Sequence, residues 1–298
     1  MDTTIIISYQ AGTADMLKVC IESLQRHTKH EVACIVATAD GDNDLYKLQE
    51  QNMFTIYEVD VDTQNANGIH GRILDKIVPD VISTPYFVTL DSDCFPVAEG
   101  WMEDLHIMLE KSRIAGVLHP WAPPPEDIPK NKIECRVRSQ HNWTSTHVAC
   151  QMMATEDYRI LHEQGVRFAG GDDTGLLIPL KAKELGWEID GFKPTRCPRS
   201  EALESTVIPE YNRLYCVVYG DKICHVGGFT RGKIGQPLPD SIGFDWAVQR
   251  IMADGGAEFL LEDRLSYKYA FDMEEEVVRY RLNQVFGVSS DGRSILQR

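Results

Sequence analysis

The chain has 298 residues, 43% hydrophobic and 25% charged, an ordinary globular composition with room for one large α/β domain or two small ones. Thirty Lys and Arg against 45 Asp and Glu give a net charge of −15, which argues against a surface that tracks duplex nucleic acid and leaves only a local basic pocket open. No apolar run reaches the roughly 18 residues of a membrane span, and Met1-Asp2-Thr3-Thr4 lacks the basic lead of a signal peptide, so a cytoplasmic protein without a transmembrane segment is expected.

The first 120 residues alternate strand and helix. Thr4–Ser8 is a short β-branched run, followed by a helical face of Leu17, Cys20, Ile21 and Leu24 with Thr13 at the N-cap position. Val32–Ala37 is a second strand and ends in the turn-rich Thr38-Ala39-Asp40-Gly41-Asp42. Met53–Val59 is a third. Leu74, Ile77, Val78 and Val81 then repeat at helical spacing, with Pro79 expected to shorten or kink that helix. Tyr86–Leu90, a helix over Trp101–Glu110 and a strand over Ile114–Leu118 complete the pattern. This order predicts a mostly parallel sheet with helices on both faces, whose ligands bind beyond the carboxyl ends of the strands.

The proline-rich stretch from Pro123 to Pro129 reads as a surface loop. Val148–Ala154 resumes as strand and Glu156–Gln164 as helix. Asp172–Ile189 reads as helical and then extended, with Pro179 an awkward interior residue. Leu214–Tyr219 and Lys222–Val226 form a hairpin pattern across Gly220-Asp221, and the tail from Asp240 is helical, its Glu274–Glu276 run a solvated face. The eight cysteines show no C-x-x-C pair and no zinc-like spacing, which fits free thiols in a reducing compartment.

Three clusters carry chemistry. In Tyr86-Phe87-Val88-Thr89-Leu90-Asp91-Ser92-Asp93 an apolar strand delivers two carboxylates to its exposed end. Paired hard oxygen ligands suit Mg²⁺ or Mn²⁺, although strand-end acids also cap helices and close turns. His225 ends the apolar Ile223-Cys224-His225-Val226, before Gly227-Gly228 and the cations Arg231 and Lys233. It is either a core histidine or part of a site that a ligand approaches closely across the glycines. Gly170-Gly171-Asp172-Asp173 places adjacent acids before a helical segment, either as caps or as a general base with a raised pKa.

Taken together these residues resemble the GT-A-fold, nucleotide-sugar-dependent glycosyltransferases with a D-x-D motif, inverting and family-2-like. The motifs follow the family's order from Ser8-Tyr9 through Asp40, Gly68-Ile69-His70-Gly71-Arg72-Ile73-Leu74-Asp75, Asp91-Ser92-Asp93 and Gly171-Asp172-Asp173 to His225-Val226-Gly227-Gly228. The resemblance implies a GT-A, Rossmann-like α/β domain over residues 1–239, with a nucleotide-binding half at about 1–120 and an acceptor-binding half at about 121–239. Residues 240–298 would be a helical extension packed on the same domain.

At matching positions the resemblance also implies roles. Ser8, Tyr9, Asp40, Arg72, Asp91, Ser92 and Arg231 would bind the nucleotide-sugar. Ser8 and Tyr9 would lie at the base, Asp40 at base or ribose, and Arg72, in the loop before the D-x-D strand, and Arg231 at the diphosphate. Asp93 and His225 would ligate Mn²⁺ or Mg²⁺, with Asp91 at the ribose or the metal, and Asp173 with Asp172 would act as base. The donor would be a nucleotide-sugar, a UDP-sugar in first place, and the acceptor a hydroxyl of unknown carrier; by their own chemistry Trp121 and Trp143 are either stacking faces for it or packing residues. No Gln-x-x-Arg-Trp follows the acidic motif and no membrane helix is present, which disfavours a processive polysaccharide synthase. The other readings are a sugar-nucleotide nucleotidyltransferase, disfavoured because Ser8-Tyr9-Gln10-Ala11-Gly12 has one glycine and no cation to cradle triphosphate, and a non-catalytic nucleotide- or sugar-binding module.

Overall fold

Ile5, Ile6 and Ile7 are all fully buried, which an alternating half-exposed strand would not allow. A strand buried on both faces belongs in the middle of a covered, largely parallel sheet. The computed structural model places it there, and describes residues 2–62, 68–119, 145–170, 174–196, 216–227, 229 and 242–262. β1 (Thr3–Tyr9) pairs in parallel with β2 (Ala33–Thr38) on one side and β4 (Tyr86–Asp91) on the other. β3 (Thr55–Glu58) extends the sheet beyond β2. Beyond β4 lie β7 (Ser145–Ala154), β6 (Ile114–His119) and β8 (Ile189–Phe192), giving the order β3-β2-β1-β4-β7-β6-β8. β7 runs antiparallel to both its neighbours, and the other pairings are parallel. The last of them, β6 with β8, depends on glycine: a Cβ on Gly191 would sit 2.0 Å from the Gly116 carbonyl oxygen.

Helices α1 (Ala14–His27), α2 (Asn43–Gln51), α3 (Ile69–Asp80), α4 (Trp101–Leu109) and α5 (Thr155–Glu163) cover this sheet, with α6 (Leu177–Glu184) and α7 (Ile242–Asp254) following. Their apolar faces enter two cores, one per face of the sheet. Ala247 and Ile251 of α7, and Phe259 and Leu260 of the 3₁₀ turn Glu258–Leu261, join the core that holds β1 and α1. Glu258 is also bonded to Arg26 and His27 at the end of α1. No helix among the described residues is long and apolar enough to cross a membrane.

Several expectations are refined. Thr13 stands at the N-cap of α1, but its hydroxyl donates to the Gln10 carbonyl rather than capping. Asp42, read as a turn residue, caps α2 by accepting the Leu45 N–H at 2.8 Å. Pro79 lies in the last turn of α3, which ends one residue later, as expected of a residue that cannot donate to the i−4 carbonyl and shortens a helix. Pro179 is no interior defect: it occupies the first turn of α6, where N–H groups have no intrahelical partner. Asp172–Ile189 resolves, over its described part, into α6 and the start of β8.

A second, antiparallel sheet was not foreseen. It has the order β5-β11-β10-β9, built from β5 (Cys94–Pro96), β9 (Pro194–Arg196), β10 (Val217–Tyr219) and β11 (Ile223–His225). The expected hairpin is its β10–β11 pair, with Asp221 at φ 53° in the turn. The other strands of this sheet, β5 and β9, span three residues each and carry too little pattern to be seen in sequence.

Candidate functional site

Sheet order locates the crevice. Strands β2 and β3 extend from one side of β1 while β4 lies on the other, so the connections diverge between β1 and β4. Ligands of open α/β sheets bind at such a point, outside the carboxyl ends. Ser8 and Asp91 are register partners there. Ser8 Oγ and Asp91 Oδ1 are buried and have no hydrogen-bond partner among the described residues. Buried polar atoms are nearly always satisfied, so unmet capacity at a strand end marks where a polar ligand belongs.

Asp91 closes β4, Ser92 and Asp93 form the turn, and Cys94 opens β5. β11 pairs with β5 in a register that sets His225 opposite Cys94, and Val226 N–H donates to the Asp93 carbonyl at 2.8 Å. The second sheet therefore carries a histidine from far along the chain to the D-x-D turn. His225 Nε2 lies 3.8 Å from Asp93 Oδ1, and one ligand atom from each of Asp91, Asp93 and His225 falls within 4.8 Å of the others. Asp93 and His225 are buried. Two carboxylates and an imidazole form a donor set suited to Mn²⁺ or Mg²⁺, and a buried Asp91 oxygen without a hydrogen bond fits that use. Gly227 leaves space beside this histidine, since a Cβ there would meet the imidazole Cε1 at 3.2 Å.

Two further histidines reach the triad. His70, in the first turn of α3, places Nδ1 3.2 Å from Asp91 Oδ1 without hydrogen-bond alignment, and its Nε2 is buried with no partner among the described residues. His147 of β7 lies with its ring centroid 5.6 Å from that of His225. Ala149 N–H donates to His147 Nδ1 at 3.1 Å, which assigns the neutral ring's proton to Nε2. Register between β6 and β7 shifts at this point, leaving Val148, Ala149 and Cys150 without β6 partners. Such irregularities turn side chains out of the regular alternation, so periodicity could not reveal His147. His70 was visible as a polar residue in an apolar helix, but only the fold brings it to Asp91.

At the carboxyl ends of β1 and β2 the polar groups are ordered around Asp42. Its carboxylate accepts from the Tyr9 hydroxyl at 2.7 Å and from Gly12 N–H at 2.8 Å. Burial acts to raise the Asp42 pKa, but these donors and the Leu45 N–H outweigh it and hold the carboxyl below its usual range. Tyr9 is buried, and desolvation with the Asp42 charge pushes its phenol pKa up. Asp40 is exposed at the residue level beside them, and what desolvation its carboxyl has, together with the Asp42 charge, raises its pKa. Ser92 is buried in the turn. Arg72 belongs to the first turns of α3, not to a loop, and donates through Nη2 to the Asp62 carbonyl at 2.7 Å. Asp172, Asp173, Arg231, Trp121 and Trp143 lie outside the described residues.

Beneath the turn, Cys20, Cys94 and Cys150 are fully buried, and desolvation raises all three thiols. They are free, as expected from their apolar settings.

No protein-family model matches the sequence, and no curated protein matches it. Solved structures do match. The galactosyltransferase LgtC, in complex with donor and acceptor sugar analogues, aligns over 92% of this chain and 99% of its own, with a TM-score of 0.52 at 10% identity. The fold is of the GT-A, Rossmann-like type. A mannosyltransferase from Pyrobaculum calidifontis, PcManGT, in complex with GDP-Man and Mn²⁺, aligns over 64% of this chain at a TM-score of 0.44 and 12% identity. The chain spans 54% of that enzyme's length. The 4-diphosphocytidyl-2C-methyl-D-erythritol synthase of Anaerococcus prevotii aligns over 64% of this chain and 86% of its own, at 0.43 and 10%.

Proposed function

We propose that this chain is a metal-dependent, inverting glycosyltransferase that moves one sugar from a nucleotide-sugar, a UDP-sugar in first place, to an acceptor hydroxyl. The observation that carries this reading is the Asp91–Asp93–His225 triad at the divergence point of the sheet. We take residues 1–239 as one catalytic domain, with 240–298 as a helical extension packed on it. The packing of Ala247 and Ile251 into the β1 core supports this for the described part.

Asp93 and His225 would hold Mn²⁺ or Mg²⁺, with Asp91 completing the protein ligands. A bound divalent cation would neutralise charge on the departing nucleoside diphosphate. Tyr9, Asp40 and Ser8 would face the nucleoside, and Arg72, Arg231 and Ser92 the diphosphate side. In the transfer, the acceptor oxygen bonds to the anomeric carbon, the diphosphate leaves with the electron pair of the broken bond, and Asp173, aided by Asp172, takes the acceptor proton.

Incubation with a panel of nucleotide-sugars and Mn²⁺ tests the reading. Slow release of nucleoside diphosphate from one donor, abolished by EDTA, is expected. Full activity in EDTA, or release of pyrophosphate from a nucleoside triphosphate and a sugar phosphate, would overturn it. Arg231→Ala should weaken binding of the nucleoside diphosphate by at least about tenfold, since Arg gives phosphate paired, charge-assisted hydrogen bonds. Binding of the free nucleoside should stay near wild type. Equal losses in calorimetry of both ligands would remove Arg231 from the diphosphate.

A further inference from the structure

Alternation along the strands decides which way Asp91 turns. Ile6 of β1 and Phe87 of β4 enter the core that they share with Ile73, Leu74 and Ile77 of α3. A strand turns every second side chain to the same face, so Ser8, two residues after Ile6, and Asp91, four after Phe87, face α3 as well. Asp91 therefore leaves the sheet on the side that α3 covers, and there it meets His70.

The helical turn that carries His70 is firmly held. Its next residue, Gly71, packs backbone against backbone: a Cβ there would lie 2.6 Å from Ala169 N and 2.8 Å from Phe168 C. One turn further on, the half-buried Asp75 accepts Phe168 N–H at 2.7 Å and Ala169 N–H at 2.9 Å. Ile73 and Leu74 are buried between these anchors. The reach of His70 toward Asp91 is thus set by the packing of α3.

The contact between the two side chains is incomplete. His70 Nδ1 stands 3.2 Å from Asp91 Oδ1, at bonding length but out of line. Asp91 Oδ1 is buried and has no hydrogen-bond partner among the described residues, and the same holds for His70 Nε2. A neutral ring with its proton on Nδ1 has Asp91 Oδ1 as its acceptor. A small turn of either side chain completes that bond, and hydrogen bonds of active sites often straighten only when ligand is bound. Carboxylates that ligate a metal are themselves held by outer partners that set their orientation. We infer that His70 is a positioning residue: its Nδ1 holds one oxygen of Asp91 and so fixes that carboxylate for a divalent cation. The inference rests on the reading of Asp91, Asp93 and His225 as the metal ligands.

Mn²⁺ alone, titrated into the full chain and followed by the electron paramagnetic resonance of the free ion, tests it. His70→Phe keeps a ring without nitrogens and should weaken Mn²⁺ binding by roughly 10- to 100-fold. His70→Asn puts an amide N–H near the position of Nδ1 and should stay within about threefold of the unsubstituted chain. His70→Gln carries its amide out toward the position of Nε2 and should bind as weakly as His70→Phe. In an Asp91→Ala chain, His70→Phe should cost nothing further, because the two side chains act as one unit. Unchanged Mn²⁺ affinity in His70→Phe and His70→Gln would overturn the inference. So would an equal loss in all three variants, which would make His70 a packing residue. If His70→Phe does not fold, the contrast between Asn and Gln carries the test by itself. Unchanged Mn²⁺ binding in Asp91→Ala, or none in the unsubstituted chain, is instead a failure of the triad reading, and the assignment of His70 falls with it.

Discussion

Asp93→Ala is expected to abolish Mn²⁺-dependent donor binding, with affinity falling at least about 100-fold by calorimetry. Loss of an outer-shell partner alone costs metal sites roughly 10- to 100-fold, and a direct ligand should cost no less. The Asp93 side chain is buried, with His225 Nε2 3.8 Å away. The backbone contact that joins the two sheets, Val226 N–H to the Asp93 carbonyl, does not involve the side chain and should survive the substitution. Binding of the metal-free nucleoside should therefore be retained, which separates ligand loss from unfolding. A variant with wild-type Mn²⁺ dependence would remove Asp93 from the metal and the triad from the reading.

Asp173→Asn is expected to keep donor affinity while kcat falls at least a hundredfold, within the roughly 10²–10⁴ that a placed general base contributes. An amide keeps the size of the side chain and can still accept a hydrogen bond, but cannot take the acceptor's proton. An interaction made only in the transition state shows itself as a loss in kcat and kcat/KM together. The anomeric configuration of the product, read by NMR, should be inverted relative to the donor. A retained configuration would exclude Asp173 as the base of an inverting attack, whatever the activity of the variant.

The architecture was largely legible in the chain. Three consecutive isoleucines in β1, the apolar run before Asp91 and the one-face spacing of Leu17, Cys20, Ile21 and Leu24 are local signals, and each became the element its pattern predicts. The carboxyl-end position of Asp91 and Asp93 was legible for the same reason, since a strand's exposed end follows from where its apolar run stops. The helix over Asn43–Gln51 was missed because its buried face is only Leu45 and Leu48, too few to set a period against the surrounding turn residues.

The placement of the site's other members lay beyond local pattern because of the range of the interactions that bring them together. Alternation and helical spacing act between residues a few positions apart. Strand register between distant segments depends on which elements pack together. Only the resemblance joined His225 to Asp93 beforehand; that the two meet follows from the β5–β11 pairing, and β5 is too short to announce its partner. His147 reaches the triad only because β7 loses register against β6. Gly71 and Asp75 looked like one glycine and one acid in a helix. Their meaning lies in the backbone of Phe168 and Ala169, which the fold lays against them and to which one contributes an absent side chain and the other a half-buried carboxylate.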